Sequence, residues 1–356
     1  KPSGVWIMAY TTIDKPSDFF NPKLYTGNGS TNAITGVEFQ PDWVWLKQRS
    51  GSASSHKVYD SVRGTTKYLA TNNTGAEGTE SGVTAFGSDG FTVGSSAGTN
   101  ANSETYVSWN WKAGTSFTND ASGTGIGSID STGSVNTDAG FSIITYSGTD
   151  GTETVAHGLS AVPKMIIFKY RNGVINWLAY HASLGATKSI YFDATSAATT
   201  TYDYFADTEP TSSVFTVKKD GSYVETNNSG GNFVAYCFSE VKGYSKFGSY
   251  TGNGNADGTF VYTGFKPAFV LVKRTNGTEN WTIMDTTRDP FNVAVNKLHP
   301  NTSGGTDAGA TIDILSNGFK NRTTNAGANG SGDSYIYMAI AENPFVTSTA
   351  IPATAR

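Results

Sequence analysis

An all-β chain is what this sequence predicts, and three observations predict it. Glycine is abundant at 41 of 356 residues, aromatics make up 13% against only 15% charged residues, and Ser, Thr and Asn are plentiful. Such a composition suits short strands joined by tight turns. No segment longer than about ten residues shows helical periodicity, which points the same way. The third observation is a repeat: Pro41-Asp42-Trp43-Val44-Trp45-Leu46-Lys47, Pro163-Lys164-Met165-Ile166-Ile167-Phe168-Lys169 and Pro267-Ala268-Phe269-Val270-Leu271-Val272-Lys273 are each a proline, a spacer, four apolar residues and a lysine. Together they predict three tandem β-sandwich domains, jelly-roll or lectin-like, of about 100 residues each.

The flanking landmarks recur in register. Tyr25, Tyr146 and Tyr250 open Tyr-x-Gly turns 16, 17 and 17 residues before the proline. Tyr59-Asp60, Tyr180-His181 and Met284-Asp285 follow it by 18 or 19 residues. Phe91, Phe215 and Phe319 lie 50, 52 and 52 residues beyond it. Aromatic strands then close each unit: Tyr106-Val107-Ser108-Trp109-Asn110-Trp111, Phe233-Val234-Ala235-Tyr236-Cys237-Phe238 and Tyr335-Ile336-Tyr337-Met338-Ala339-Ile340.

The spacing divides the chain into a lead-in over 1–20, a first unit over 21–114, a Gly/Ser-rich linker over 115–140, a second unit over 141–243, a third over 244–345 and a tail over 346–356. In the lead-in, residues 5–10 predict a strand and 15–20 a turn-like connector. Lys1 is not a natural start and no signal peptide is visible, so the chain reads as a fragment or a processed product. The tail is expected to be poorly ordered unless something docks it. No spacer separates the second and third units, so these two are expected to pack closely.

Within each unit the apolar run is too short for a helix and suits a central strand buried on both faces. Its proline belongs at the strand entrance, where no ladder hydrogen bond is lost. Asn176-Trp177-Leu178-Ala179-Tyr180 and Asn280-Trp281-Thr282-Ile283-Met284 predict the next strand, reached through turns at Asn172-Gly173 and Asn276-Gly277.

Little of the sequence points to chemistry. Net charge is −4 with no Lys/Arg cluster, so the electrostatic footprint of a nucleic-acid binder is missing. No run approaches 18 apolar residues, so no transmembrane helix is predicted. His56, His157, His181 and His299 stand apart from one another, which argues against a metal site. Cys237 is the only cysteine and sits in a predicted buried strand. Gly27-Asn28-Gly29 and Gly252-Asn253-Gly254 lack the strand-to-helix setting of a phosphate cradle. No catalytic residues and no cofactor are expected. Asp60 and Asp285 occupy one position of a repeat, an unpromising arrangement for a glycosidase pair, which must flank one bond.

Asp60/Arg63 and Asp285/Arg288 are the candidate site residues, as ligand-binding forks or as structural ion pairs within turns. The second unit replaces both with His181 and Leu184, which favours the structural alternative. Lys47, Lys169 and Lys273 are expected to guard a strand edge or to form ion pairs. Trp43, Trp45, Trp109 and Trp111 could form a sugar-stacking platform, but their counterparts include Met338 and Ile340, which indicates core filling.

Lys15-Pro16-Ser17-Asp18-Phe19-Phe20-Asn21, Tyr25-Thr26-Gly27-Asn28-Gly29, Gly36 to Lys47, Tyr59-Asp60-Ser61-Val62-Arg63-Gly64, Ser88-Asp89-Gly90-Phe91 and Trp109-Asn110-Trp111-Lys112-Ala113-Gly114 together resemble a repeat of predicted tail and tail-fibre proteins of marine bacteriophages, cyanophages included. Tyr337-Met338-Ala339-Ile340-Ala341-Glu342-Asn343-Pro344-Phe345 resembles their common ending. The resemblance covers 15–114 and the third unit, and departs at Phe141 to Gly185. It supplies no catalytic residues. It implies a non-enzymatic structural protein of the virion, assembled in the host cytoplasm among other virion proteins, homotrimeric, and contacting the host surface with a glycan as candidate ligand. The alternatives are a capsid head fibre or decoration protein, and a carbohydrate-binding module or depolymerase.

Overall fold

The computed structural model describes residues 10–352, and the chain is all-β over them. The strand expected over 5–10 lies, but for Tyr10, outside the described residues. The connector at 15–20 contains a short 3-10 helix, Pro16–Asp18.

Three large antiparallel sheets share one strand order. In the first, Lys23–Thr26, Thr105–Trp111, Trp43–Gln48 and Lys57–Asp60 lie side by side. Phe141–Ser147, Asn232–Ser239, Pro163–Tyr170 and Leu178–His181 repeat that order, as do Ser245–Thr251, Ser334–Pro344, Phe265–Arg274 and Thr282–Asp285. In each sheet the apolar run is central, flanked by the closing aromatic strand and by the next strand in sequence. A smaller sheet faces each large one. These are Asn32–Ile34, Gly90–Val93 and Val83–Gly87; then Thr152–Ala156 with Val214–Lys218; then Phe260–Tyr262, Gly318–Asn321, Asp307–Leu315 and Ala294–Lys297.

Alternation along the central strands decides how the units associate, since successive side chains leave opposite faces. Val44 and Leu46 pack with Val83, Phe91 and Val93 between the first sheet pair. Ile166 and Phe168 do so with Val155 and Phe215, and Val270 and Val272 with Ile312 and Phe319. The other face carries Trp43, Trp45, Met165, Ile167, Phe269 and Leu271 into one common cluster. Three sandwich-like units, each with an apolar core between its own sheet pair, therefore also close around a shared core. The close packing expected of the second and third units holds for all three pairs.

Residues 115–140 are not a linker. Thr115–Asn119 and Ser131–Asn136 form a meander that continues the second large sheet past Phe141–Ser147. Small polar side chains obscure it in sequence: the buried residues of Ser131–Asn136 are Ser131 and Ser134, on opposite faces, and Thr132 is exposed opposite Thr145. One proline also differs from expectation. Pro163 opens its strand, but Pro267 lies inside Phe265–Arg274, where register shifts on either side absorb its missing N–H. The tail docks on the lead-in, and the lead-in on the third unit. The Asp14 carboxylate accepts from the Ser348 backbone N–H at 2.7 Å, and the Tyr10 hydroxyl donates to the Gly264 carbonyl at 2.6 Å.

Candidate functional site

The predicted site residues stand where the units meet. Asp60 and Asp285 end strands paired with Trp43 and Phe269, and the turn that follows brings an arginine back over each. Asp60 accepts from the Arg63 backbone N–H at 2.8 Å and from its Nε at 2.5 Å, while Nη2 reaches the Val58 carbonyl at 3.1 Å. Asp285 and Arg288 reproduce this at 2.8, 2.6 and 3.1 Å, the last to the Ile283 carbonyl. All four side chains are fully buried. Burial alone would lower the Arg63 pKa, but Asp60 and then Tyr236 and Glu77 outweigh it and hold the guanidinium pKa above its ordinary value. Each aspartate has a third donor from another unit. Tyr236 Oη donates to Asp60 at 2.8 Å, and Trp109 Nε1 donates to Asp285 at 2.9 Å.

Trp109, Tyr236 and Met338 occupy equivalent positions, opposite Trp45, Ile167 and Leu271. At the third interface the donor is missing, because methionine has none. The aspartate is missing there too. His181 takes its place, with Nδ1 accepting from Ser183 N–H at 3.1 Å, so that Nε2 carries the proton toward the Tyr337 carbonyl at 3.2 Å. Burial lowers the His181 pKa to about 4 against a small opposing pull from that carbonyl. The loss of Asp and Arg in the second unit is thus matched by a change in the unit that faces it.

Among the described residues the lysines guard no edge and pair with no carboxylate. Lys47, Lys169 and Lys273 are buried in central strands. Each donates to one carbonyl of its own unit and one of a neighbour: Lys47 to Ser54 at 2.7 Å and Ser303 at 3.0 Å, Lys169 to Ile175 and to Thr74 at 2.9 Å, and Lys273 to Glu279 at 2.7 Å and Thr195 at 2.9 Å. Burial lowers all three to about 8. Indoles add a parallel set, Trp177 Nε1 to the Ala70 carbonyl at 2.8 Å and Trp281 Nε1 to that of Tyr191 at 2.9 Å. His56 takes that place in the first unit, its ring parallel to that of Trp109. Burial drives its pKa well below the ordinary value, with Lys47 and Arg288 adding to the effect, and neither ring nitrogen has a hydrogen-bond partner.

Each Tyr-x-Gly turn is held by a residue the sequence reading missed. Asn100, Asn227 and Asn329 are fully buried and bridge this turn to the segment before the closing strand. Asn329 Oδ1 accepts from Asn253 N–H at 3.0 Å, and its amide donates to Asn253 Oδ1, the Asn255 carbonyl and the Thr323 carbonyl. Asn100 serves Asn28, Ser30 and Gly94, and Asn227 serves Thr149 and Gly151. A signal was present: each asparagine stands six residues before Tyr106, Phe233 or Tyr335. The glycine of the turn is required by contact, since a Cβ on Gly27, Gly148 or Gly252 would lie 2.1, 2.3 or 2.3 Å from a backbone oxygen. Above it, Tyr25 stacks on Tyr106, Tyr146 on Phe233 and Tyr250 on Tyr335, with centroids 4.9 to 5.1 Å apart.

Among the described residues no group of three or more His, Cys, Asp or Glu could hold a metal ion, and no helix is long and apolar enough to cross a membrane. Cys237 is buried in the second sheet pair, where loss of solvation raises its thiol pKa. No curated protein and no solved structure matches the chain. The model of a domain family of unknown function, DUF7483, matches residues 15–344, a span that takes in all three units and the closure between them. By that match the chain belongs to the DUF7483 family.

Proposed function

We propose that this chain is a non-enzymatic structural protein of a bacteriophage particle, a tail fibre or other tail appendage that meets the host surface. One observation carries the reading. The charged and aromatic groups that recur across the units, Asp60/Arg63, Asp285/Arg288, the three lysines and the indoles, are buried and bonded to their own chain. Groups so engaged stabilise a body; they do not face a substrate. A particle appendage built without disulfides benefits from such closure, and the resemblance over 15–114 and the third unit supports the same assignment.

On this reading the three units are β-sandwiches, jelly-roll or lectin-like, fused into one body. Their mutual faces are filled from within the chain, so a homotrimer would have to form through other surfaces. The test is to localise the chain on intact particles by cryo-electron microscopy with a tagged copy. Density at the tail supports the proposal, density on the capsid replaces it with a head fibre or decoration protein, and absence from the particle overturns it.

A further inference from the structure

The units differ most over residues 115–136, the meander that only the second large sheet carries. Where it joins the sheet, Asp130, Thr132, Thr145, Ser147, Arg171 and Asn232 help to line an open concavity of about 540 Å³. That volume falls within the range of about 300–1,000 Å³ common to small-molecule sites.

Its walls are unlike the rest of the repeat. Thr132 and Thr145 stand opposite each other on paired strands, their hydroxyls 3.1 Å apart with either able to donate, and the Ser147 hydroxyl donates to Asn232 Oδ1 at 3.3 Å. These bonds are long and between neutral groups, so a ligand hydroxyl can replace either partner at little cost. The strand backbone fixes the spacing of the hydroxyls. At the rim, Arg171 is held to Glu77 of the first unit by Nε and Nη2 at 2.9 and 3.0 Å, which orients the guanidinium and offsets its charge. Asp130 on the opposite wall accepts from Ala121 N–H at 2.8 Å. Hydroxyls that both donate and accept, with balanced charge around them, complement a neutral polyhydroxylated molecule rather than an anion.

We propose that this concavity is a binding site for a neutral hexose-containing glycan, built by the insertion into the second unit. The proposal rests on the reading of the chain as a host-contacting appendage and supplies its ligand class. The open shape suits residues within a polysaccharide.

The purified chain is titrated with defined neutral and acidic oligosaccharides, beside Thr132→Ala/Thr145→Ala and Thr145→Trp, with thermal unfolding recorded for each. Wild type binds neutral oligosaccharides, the double alanine variant binds about ten-fold more weakly through loss of two hydroxyls, and Thr145→Trp does not bind. Unfolding of the alanine variant stays near that of wild type, which separates lost contacts from lost fold. Failure of wild type to bind any neutral glycan, preference for acidic glycans, or unchanged affinity in the alanine variant overturns the site. Particle imaging decides the appendage reading independently, so either can fail alone.

Discussion

The indole N–H of Trp109 ends on the carboxylate of Asp285, 176 positions further along the chain, and the phenolic O–H of Tyr236 ends on Asp60 across an equal separation. Each bond passes from one unit to the next around the shared core, and each arrives at an aspartate already paired with arginine.

Removing that acceptor leaves a buried guanidinium without its counter-charge and an indole N–H without its partner. Asp285→Ala is therefore expected to cost about 3–5 kcal/mol, whereas Tyr236→Phe, which deletes one bond to a charged group, costs about 1.5–3 kcal/mol. Urea unfolding of both variants checks this. A loss below about 0.5 kcal/mol for Asp285→Ala, the usual range for surface positions, would remove the pair from the closure.

The third interface invites a test of its asymmetry. His181→Asp alone places a carboxylate opposite Met338, with Leu184 where the other units have arginine. The buried charge is then unpaired, and a loss of at least about 2 kcal/mol is expected. An unchanged denaturation midpoint would show that the histidine is not tied to its missing donor.

Acid should loosen the body through its histidines. His157 and His181 have folded pKa values lowered to about 4 from an ordinary 6.5, so the unfolded chain binds protons first. Their contribution is present above pH 6.5 and is lost as pH falls from there toward 4. Melting temperatures at pH 7, 6, 5 and 4 measure it, and a flat profile contradicts it.

The lysines act in a higher window. Their folded values of about 8 lie below the ordinary 10.5, so stability rises with pH from 8 toward 10. Above 10 the buried tyrosines, with folded pKa values raised by burial, pull the other way. Lys47→Met should flatten the rise. An equally steep slope in that variant would place its origin elsewhere.

Asn329→Ala removes one acceptor and an NH2 group placed toward three acceptors from a fully buried position. A loss of about 2–3 kcal/mol is expected from neutral hydrogen bonds of about 1 kcal/mol each, with faster amide exchange at 252–258. Exchange unchanged in that loop would show that the turn holds without its bridge.

How much of this was legible depended on which contacts were local. The central strands, their burial and their aromatic neighbours were written in four-residue runs such as Trp43-Val44-Trp45-Leu46, because alternation on a strand is a short-range pattern. The joining of Lys169 to Thr74, or of Trp281 to Tyr191, was not, since no spacing rule links residues that meet only after the units close. The meander at 115–136 was hidden for another reason. A strand whose buried side chains are serines has a linker's composition, and only its pairing with Phe141–Ser147 reveals it. Asn100, Asn227 and Asn329 were visible in principle; asparagine among many asparagines carries no signal until its distance to the next landmark is measured.

The shared core imposes an order of events during synthesis. Trp43, Trp45, Trp109 and Trp111 leave the ribosome first, yet they finish packing only when Phe269 and Ile340 arrive. From Trp111 to the addition of Ile340, 229 further residues are translated. At about 5–20 residues per second that is roughly 10–50 s, during which the tryptophans have one another but not the whole of the third unit's face. A nascent chain with so large an apolar face is a client for holding chaperones, and its yield in a cell should depend on them more than its final stability suggests.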